Sequence, residues 1–447
     1  MEQGVVNRLD YTPFEKKSPN RNHEERRQCS FRHRRSLVKK NHGILNFLFN
    51  REIHGNLPPK HTANKILLDS RVHNVMEPKS KTLDIHDIAI SKLVMPNPRT
   101  IISSSWDGSL RVIKNGMNGW KSTDALVESG DSCYGMAKLS ATSIVSCSSD
   151  GFIVVWHEKK NSWCKRYDHK TDKPCTNIEA LSSTRFIITT EDNWVGIAEE
   201  KSMKLDIQWF NQFGRVMEPP TKLNKKSFIH CSSNGNFYTW KMGYDGWEYS
   251  ITPCPEKISR EESNSPLKAI LINENSVAVC YSMGDIAILT SQNLAADRDK
   301  NCWKITQLVF HGEDNTEFGE VTGILPLSNN TFASYGEDGN IFIWYFMHNL
   351  WVQRQKLSKH QHAIADCQLV APERIWSIDN CGSVQCWLYD GEKHQHYCEL
   401  IGIDNDIDED DEMHVRPAGL LPLSGNCAVA SFSGDCKIRI WPDFLEA

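Results

Sequence analysis

The sequence lacks any long hydrophobic run. Its apolar stretches fall far short of the roughly 20 residues that a membrane-spanning helix needs. The opening residues also lack the charged segment and following apolar run that typify an export signal. We therefore expect a soluble protein without a transmembrane segment.

The cysteines lack a pairing pattern. The chain has 15 of them, an odd number, and they form no C-x-x-C pair. Disulfide frameworks of small secreted domains and zinc sites both need regular cysteine spacings. We therefore predict a reducing compartment, either cytoplasmic or nuclear.

Catalytic and metal-binding motifs are also missing. The sequence has no G-x-S-x-G, no P-loop, no G-x-G-x-x-G before a helix and no H-E-x-x-H. The acidic run at 404–412 begins like a calcium loop, but Glu409 and Val415 stand where such a loop needs Gly and Glu. We interpret the run as a solvated loop. The chain is thus predicted to have no catalytic residues, cofactor or metal, and not to be an enzyme.

Charge is divided unevenly along the chain. Residues 1–60 contain 13 Lys and Arg against 6 Asp and Glu, a net charge of +7, whereas the whole chain carries −5. We predict a basic, disordered arm at 1–60 and one folded domain at 61–447. Nucleic-acid contact is expected only through this arm, if it occurs.

A repeat runs through the rest of the chain. Eight segments share a turn followed by alternating apolar residues, and their turns lie 42 to 55 residues apart. Such a period indicates stacked supersecondary units. The turn residues are Asp107, Asp150, Asp192, Asn234, Met283, Asp338, Cys381 and Asp435.

Each unit has the features of antiparallel strands joined by tight turns. The residue after the turn position is Gly in six of the eight units, as expected where a hairpin requires a positive φ. The apolar alternation that follows predicts a strand, and in five units a Trp ends it, where it can fill the wedge between units. These residues are Trp156, Trp240, Trp344, Trp387 and Trp441. We predict four strands in each unit.

The S-x-D-G turn, the alternation and the strand-ending Trp resemble the WD-repeat family of β-propellers over residues 80–441. The resemblance implies an all-β fold, a WD-repeat-like β-propeller of eight blades, although seven blades plus an irregular unit is left open. Met283 and Cys381 depart from the family's Asp. Rings of this family are often closed by an N-terminal strand, and only 442–447 follow Trp441. We expect residues 64–70 to supply the missing outer strand.

One position beside the turn distinguishes the first unit. The other seven units carry a small or polar residue there, whereas the first carries Trp106. The resemblance places this turn on the top face of the ring, where a lone Trp is typical of an interface anchor. The alternative is that Trp106 packs on a neighbouring blade or the arm. Arg111, assigned to the same unit's inner strand, is predicted to line the channel and to join Trp106 in the binding site.

The resemblance implies a non-catalytic protein–protein interaction scaffold or adaptor. Its partner would be a protein or peptide bound on the top face, and the chain would be monomeric on its own. One alternative is a hydrolase or lyase with its active site in the propeller channel. Another is a secreted bacterial effector that docks on a complex inside a host cell, because residues 325–344 are similar to divergent bacterial WD repeats.

Overall fold

The computed structural model describes residues 80–127, 131–211, 220–233, 235–244, 246–253, 264–291, 303–312, 320–400, 419–423, 427–432 and 435–442 of the 447. These residues form 32 strands in eight four-stranded antiparallel sheets. Each sheet contains one predicted repeat unit, so the eight units fold as eight blades. The predicted arm at 1–60 and the acidic run at 404–412 lie outside the described residues.

Blades 1 to 4 follow one another along the chain. Blade 1 consists of β2 (Ile90–Asn97), β3 (Thr100–Ser105), β4 (Ser109–Gly116) and β5 (Gly119–Val127). Blade 2 consists of β6 (Cys133–Ser140), β7 (Ser143–Ser148), β8 (Phe152–Lys159) and β9 (Ser162–Lys170). Blade 3 consists of β10 (Cys175–Ala180), β11 (Arg185–Thr190), β12 (Val195–Lys201) and β13 (Lys204–Phe210). Blade 4 consists of β14 (Thr221–Asn224), β15 (Ser227–Cys231), β16 (Phe237–Met242) and β17 (Trp247–Thr252).

Blades 5 to 8 continue the series. Blade 5 consists of β18 (Pro266–Asn273), β19 (Ser276–Tyr281), β20 (Asp285–Ser291) and β21 (Trp303–Phe310). Blade 6 consists of β22 (Val321–Ser328), β23 (Thr331–Gly336), β24 (Asn340–Met347) and β25 (Leu350–Ser358). Blade 7 consists of β26 (Ile364–Ala371), β27 (Arg374–Asp379), β28 (Val384–Tyr389) and β29 (His394–Leu400). Blade 8 consists of β30 (Gly419–Pro422), β31 (Cys427–Phe432), β32 (Lys437–Pro442) and β1 (Lys81–Asp84).

The blades form a closed ring around their first strands. The first strand of each blade contacts the first strand of the next, and β30 of blade 8 contacts β2 of blade 1. The first strands are therefore the innermost ones. The architecture is an eight-bladed β-propeller, and no helix among the described residues has the length and apolar composition needed to cross a membrane.

This order corrects the predicted place of the repeated motif. The strand that follows each turn, such as β4, is the third strand of its blade and not the inner one. The apolar alternation does not distinguish an inner strand from the others. Both faces of a propeller blade are covered by its neighbours, so the second and third strands are as buried as the first. The five predicted wedge tryptophans do pack against the preceding blade, as Trp156 does on Ile102 and Val112.

The ring is closed by an N-terminal strand, but not by the predicted segment. Strand β1 pairs antiparallel with β32, with Lys81 opposite Ile440 and Asp84 opposite Lys437. Residues 64–70 lie outside the described residues, and the position assigned to them belongs to β1. Leu83 packs in the core between blades 8 and 1. The packing of Leu83 and the backbone pairing with β32 hold this short strand in place. Neither feature requires a run of apolar residues, so the strand was not recognised in the sequence.

The antiparallel order divides the turns between two faces of the ring. The turns between second and third strands and the connections between blades lie on one face, which we call the top face. The other two hairpin turns of each blade lie on the opposite face, which we call the bottom face. Trp106 lies in the turn between β3 and β4, so it is on the top face.

Candidate protein-binding face

A buried hydrogen-bond network supports the turn that carries Trp106. His86, in the connection between β1 and β2, lies 2.9 Å from a carboxylate oxygen of Asp107 through Nδ1 and 2.8 Å from Ser103 Oγ through Nε2. Because a carboxylate only accepts, Nδ1–H donates to Asp107 and Nε2 accepts from Ser103. Asp107 also accepts from the Ser109 amide at 2.8 Å. The network ties three segments together beneath the turn.

The ionisation of this network follows from its burial and its hydrogen bonds. Burial lowers the pKa of His86, against the opposing effect of the Asp107 hydrogen bond and charge. Burial alone would raise the pKa of Asp107, but hydrogen bonds from Ser109 and His86 outweigh it and hold that pKa below its usual value. The pair is therefore a neutral imidazole beside a carboxylate at neutral pH.

Trp106 projects from this turn into solvent. Its side chain is 38% exposed and meets Tyr134 edge to face, with ring centroids 6.2 Å apart. Tyr134 is 39% exposed, and Ile88, whose carbonyl accepts from Ser105 Oγ, is 48% exposed. We call Ile88, Trp106 and Tyr134 the Trp106 patch. Exposed apolar clusters of this kind mark interaction sites more often than scattered single residues do.

The backbone beneath the patch is fixed by links between blades 1 and 2. Ser132 Oγ donates to the Trp106 carbonyl at 3.0 Å, and Ser91 Oγ donates to the Cys133 carbonyl at 2.8 Å. The Trp106 amide donates to the Ala89 carbonyl at 3.1 Å. The two exposed rings are thus presented on a constrained backbone, which lowers the entropy that a binding partner must overcome.

Contrary to the prediction, Arg111 does not lie on the strand that lines the central channel. Arg111 lies on β4, the third strand, on the same side as Ile113, which packs in the core between blades 8 and 1. Arg111 Nε is buried and has no hydrogen-bond partner among the described residues, and the guanidinium charge acts on His86. Its channel placement was wrong, because it rested on the misassigned inner strand. Its part in binding stays a prediction.

The top face around the patch is acidic. Its described turns and connections expose seven carboxylates, whereas Lys359 is the one lysine exposed in them. The carboxylates belong to Asp87, Asp131, Asp172, Glu191, Asp192, Glu320 and Glu337. Burial raises the pKa of Glu320, and the negative charge of Glu337 adds to that rise.

The first strands carry a mixture of charges toward the centre. Glu179 on β10 is largely buried, and burial raises its pKa despite the charges of Lys92, Lys222 and Lys268. Asp366 on β26 accepts hydrogen bonds from the Leu420 amide at 3.0 Å and from Gln368 Nε2 at 3.1 Å. Within the described residues no cluster of His, Cys, Asp and Glu could hold a metal ion. The described first strands therefore offer no group of metal ligands that would support the alternative of an enzyme with its active site in the channel.

Sequence reasoning missed the histidine networks and most of the patch. Blades 6 and 7 have the fullest versions, in which Trp Nε1–H donates to Ser, Ser donates to His and His donates to Asp. A histidine shortly before the first strand would have been the signal. The four network residues are His311, Ser334, Asp338 and Trp344 in blade 6, and His360, Ser377, Asp379 and Trp387 in blade 7.

Comparisons with known proteins agree with this architecture. Residues 78–114, which include His86 and the first six residues of β4, match the family model described as WD domain, G-beta repeat. The crystal structure of Saccharomyces cerevisiae Sqt1 superposes with a TM-score of 0.66 at 13% identity, covering 82% of this chain and 99% of that one. Chaetomium thermophilum Sqt1, solved bound to the N-terminus of the ribosomal protein L10, gives 0.62 at 12% identity, covering 82% and 100%. No curated protein matches the sequence.

Proposed function

Because this chain is an eight-bladed β-propeller whose residues 78–114 match the model described as WD domain, G-beta repeat, we propose that it is a non-catalytic interaction scaffold that binds a peptide or protein segment on its top face. The Trp106 patch is the anchor of the proposed site. The observation that carries the proposal is the exposed Trp106–Tyr134 pair on a turn whose fold does not need a tryptophan.

The equivalent turn of blade 6 forms without a tryptophan. Its equivalent turn rests on the same His, Ser and Asp network and carries Glu337 where blade 1 carries Trp106. Both residues are exposed. A half-exposed Trp with no part in the supporting network is the residue type most enriched among binding hot spots.

The charge around the patch favours a basic partner segment. Asp87 precedes Ile88, and Asp131 precedes Ser132, which donates to the Trp106 carbonyl, so a segment with Lys or Arg beside one apolar anchor would satisfy both the charge and the apolar centre. The Chaetomium Sqt1 structure is an example of a propeller of this fold that holds a terminal peptide. That likeness supports a peptide segment as the bound partner.

We also propose that the scaffold works in a reducing compartment. Seven of the described cysteines are buried in the cores of the blades. Buried cysteines that serve as small apolar residues are typical of intracellular proteins.

Selection from a random peptide library displayed on phage, with the full-length protein as bait, tests the proposed function. Peptides that bind the unaltered protein should be rich in Lys and Arg and should lose about ten-fold or more in affinity for Trp106→Ala. Met117→Ala is the matched control, because Met117 is fully exposed in a bottom-face turn. Equal losses for the two variants, or none for either, would contradict the proposal.

A further inference from the structure

We propose that the bottom face of blades 1 to 4 binds the phosphate backbone of a single-stranded nucleic acid. The proposed surface is separate from the Trp106 patch and goes beyond the scaffold function. It consists of exposed cationic side chains in successive hairpin turns, which we call the cationic turn surface. Its members are Arg99, Lys159, Lys160, Lys204, Lys225 and Lys226.

These cations occupy the bottom-face turns of four consecutive blades. In blade 1, Arg99 lies in the turn after β2. In blade 2, Lys159 ends β8 and Lys160 follows it. Lys204 begins β13 of blade 3, and Lys225 and Lys226 form the turn between β14 and β15 of blade 4. None of the six makes an ion pair among the described residues, whereas Lys201 beside Lys204 is paired with Asp206 at 2.8 Å. Repulsion between the six is therefore left for an external anion to relieve.

The charge reverses on the other side of the same face. The described bottom-face turns of blades 5 and 7 carry Glu274, Glu373, Asp390 and Glu392, with Lys393 as a lone exposed lysine among them. On a surface that only needs to keep the protein soluble, positive and negative side chains are interspersed. Segregation over four adjacent blades favours one extended polyanion.

Direct contacts place the turns of neighbouring blades side by side. Asn97 Nδ2 donates to the Ala141 carbonyl at 3.2 Å, which joins the first hairpins of blades 1 and 2. Lys114 Nζ lies 3.0 Å from Asn161 Oδ1, which joins their second hairpins. Arg166 of blade 2 pairs with Glu200 of blade 3 at 3.0 Å. These contacts hold the bottom-face turns of blades 1 to 3 in one arc, and blade 4 follows blade 3 in the ring.

A polar cleft opens between blades 2 and 3 within this arc. Its volume is about 340 Å³, and it is lined mainly by hydroxyl groups, together with one imidazole and the guanidinium of Arg166, which is paired with the Glu200 carboxylate at the same cleft. Hydroxyl and guanidinium donors are the groups that hold phosphate oxygens in nucleic-acid complexes. The lining residues are Ser140, Thr142, Ser143, His157, Arg166, Ser183, Thr184 and Glu200.

The arc is better suited to a nucleic acid strand than to a small anion. A ligand with phosphates repeated along its length can neutralise several turns on different blades together, which a small anion cannot do. Tyr244 is fully exposed in the bottom-face turn after β16, and Lys225 and Lys226 lie in the other bottom-face turn of the same blade. An exposed ring on a cationic surface provides a stacking platform for an unpaired base.

Fluorescence anisotropy with a labelled single-stranded RNA of 20 nucleotides and mixed sequence tests the proposal on the full-length protein. The test variant combines Lys159→Glu, Lys225→Glu and Lys226→Glu. The control combines Lys304→Glu, Lys359→Glu and Lys393→Glu, which changes the net charge equally at exposed positions elsewhere. Thermal melting should give the same midpoint for both triple variants.

The test variant should bind at least about ten-fold more weakly at 100 mM salt, and its plot of log K against log salt should be shallower by about 2, since each single-strand contact contributes about 0.7. The control should stay within about two-fold. Equal weakening of both variants, or binding to phosphatidylserine vesicles without binding to RNA, would overturn the proposal. So would loss of all RNA binding in a full-length Arg32→Gln, Arg34→Gln, Arg35→Gln variant, because the basic arm would then account for the binding.

Discussion

Blades 1 and 6 build the same top-face turn from the same parts and expose different residues on it. In each, a buried histidine bridges a serine and the turn aspartate, through His86 in blade 1 and His311 in blade 6. Blade 6 extends the network to Trp344 and exposes a glutamate at the turn. Blade 1 has Ile113 in place of that tryptophan and exposes Trp106.

The difference separates what the fold requires from what the surface offers. The network histidines and serines are buried, the aspartates are partly buried, and all of them hydrogen-bond within the network, so they account for the shape of the turn. The exposed residue beside the aspartate takes no part in that network and is free to vary. A tryptophan at that position in one blade alone is therefore the strongest indication of a binding role.

Removal of the histidine should produce the largest effect on stability. His311→Ala leaves Asp338 and Ser334 without their shared partner, and we expect a loss of about 3 kcal/mol in the free energy of unfolding. His86→Ala should cost less, because Ser103 is not linked to a tryptophan. Guanidinium chloride unfolding of both variants measures the difference, and an equal or larger loss for His86→Ala would show that the extension to Trp344 adds nothing.

Blade 4 offers a second comparison, because His230 occupies the place of the network serine. Trp240 Nε1 donates to His230 Nδ1 at 2.8 Å, and burial lowers the pKa of His230 to about 3. The unfolded chain takes up this proton below about pH 6.5 while the folded chain does not. Stability should therefore decrease as pH falls from about 6.5 toward 3, by up to about 1.4 kcal/mol per pH unit for this group.

His230→Ser gives blade 4 the serine found in blade 6. The slope of the unfolding free energy against pH should then fall by the contribution of one proton, up to about 1.4 kcal/mol per pH unit. Chemical denaturation at a series of pH values from 7.5 to 4.5 measures it. His394, whose pKa burial lowers to about 4, keeps its own contribution in both proteins. An unchanged slope in the variant would mean that His230 is not neutral in the folded state.

The smallest effect on stability is expected at the exposed position itself. Trp106→Glu copies the residue of blade 6 onto blade 1, and the free energy of unfolding should change by less than about 0.5 kcal/mol. Loss of top-face binding should accompany this near-neutral change. A loss of several kcal/mol would indicate instead that Trp106 packs as part of the fold.

The sequence contained enough to predict the eight blades but not the order of strands within them. Gly108 and its equivalents mark a turn that requires a positive φ, so each unit could be counted. The sequence carries no such mark of how far a strand lies from the axis, because β3 is fully buried and β4 also contributes side chains to the cores on both sides of its blade. Arg111 was misplaced for that reason.

The networks escaped prediction because their spacing varies. His86 precedes its aspartate by 21 residues and His311 precedes Asp338 by 27. In blade 7 the aspartate is Asp379, two residues before the predicted turn position at Cys381, and its side chain still accepts from the Cys381 amide at 3.1 Å. Tyr134 was missed because its contact with Trp106 joins two blades, and a repeat alignment treats blades separately.

Site-specific photo-crosslinking tests the central claim that binding occurs at the Trp106 patch. A benzoylphenylalanine replaces Ile88 in one full-length protein and Met117 in another, which places one probe beside the patch and one on the opposite face. With a peptide selected on the unaltered protein, we predict crosslinks from position 88 and none from position 117. Crosslinks from position 117 alone, with unchanged peptide affinity in both proteins, would contradict the account.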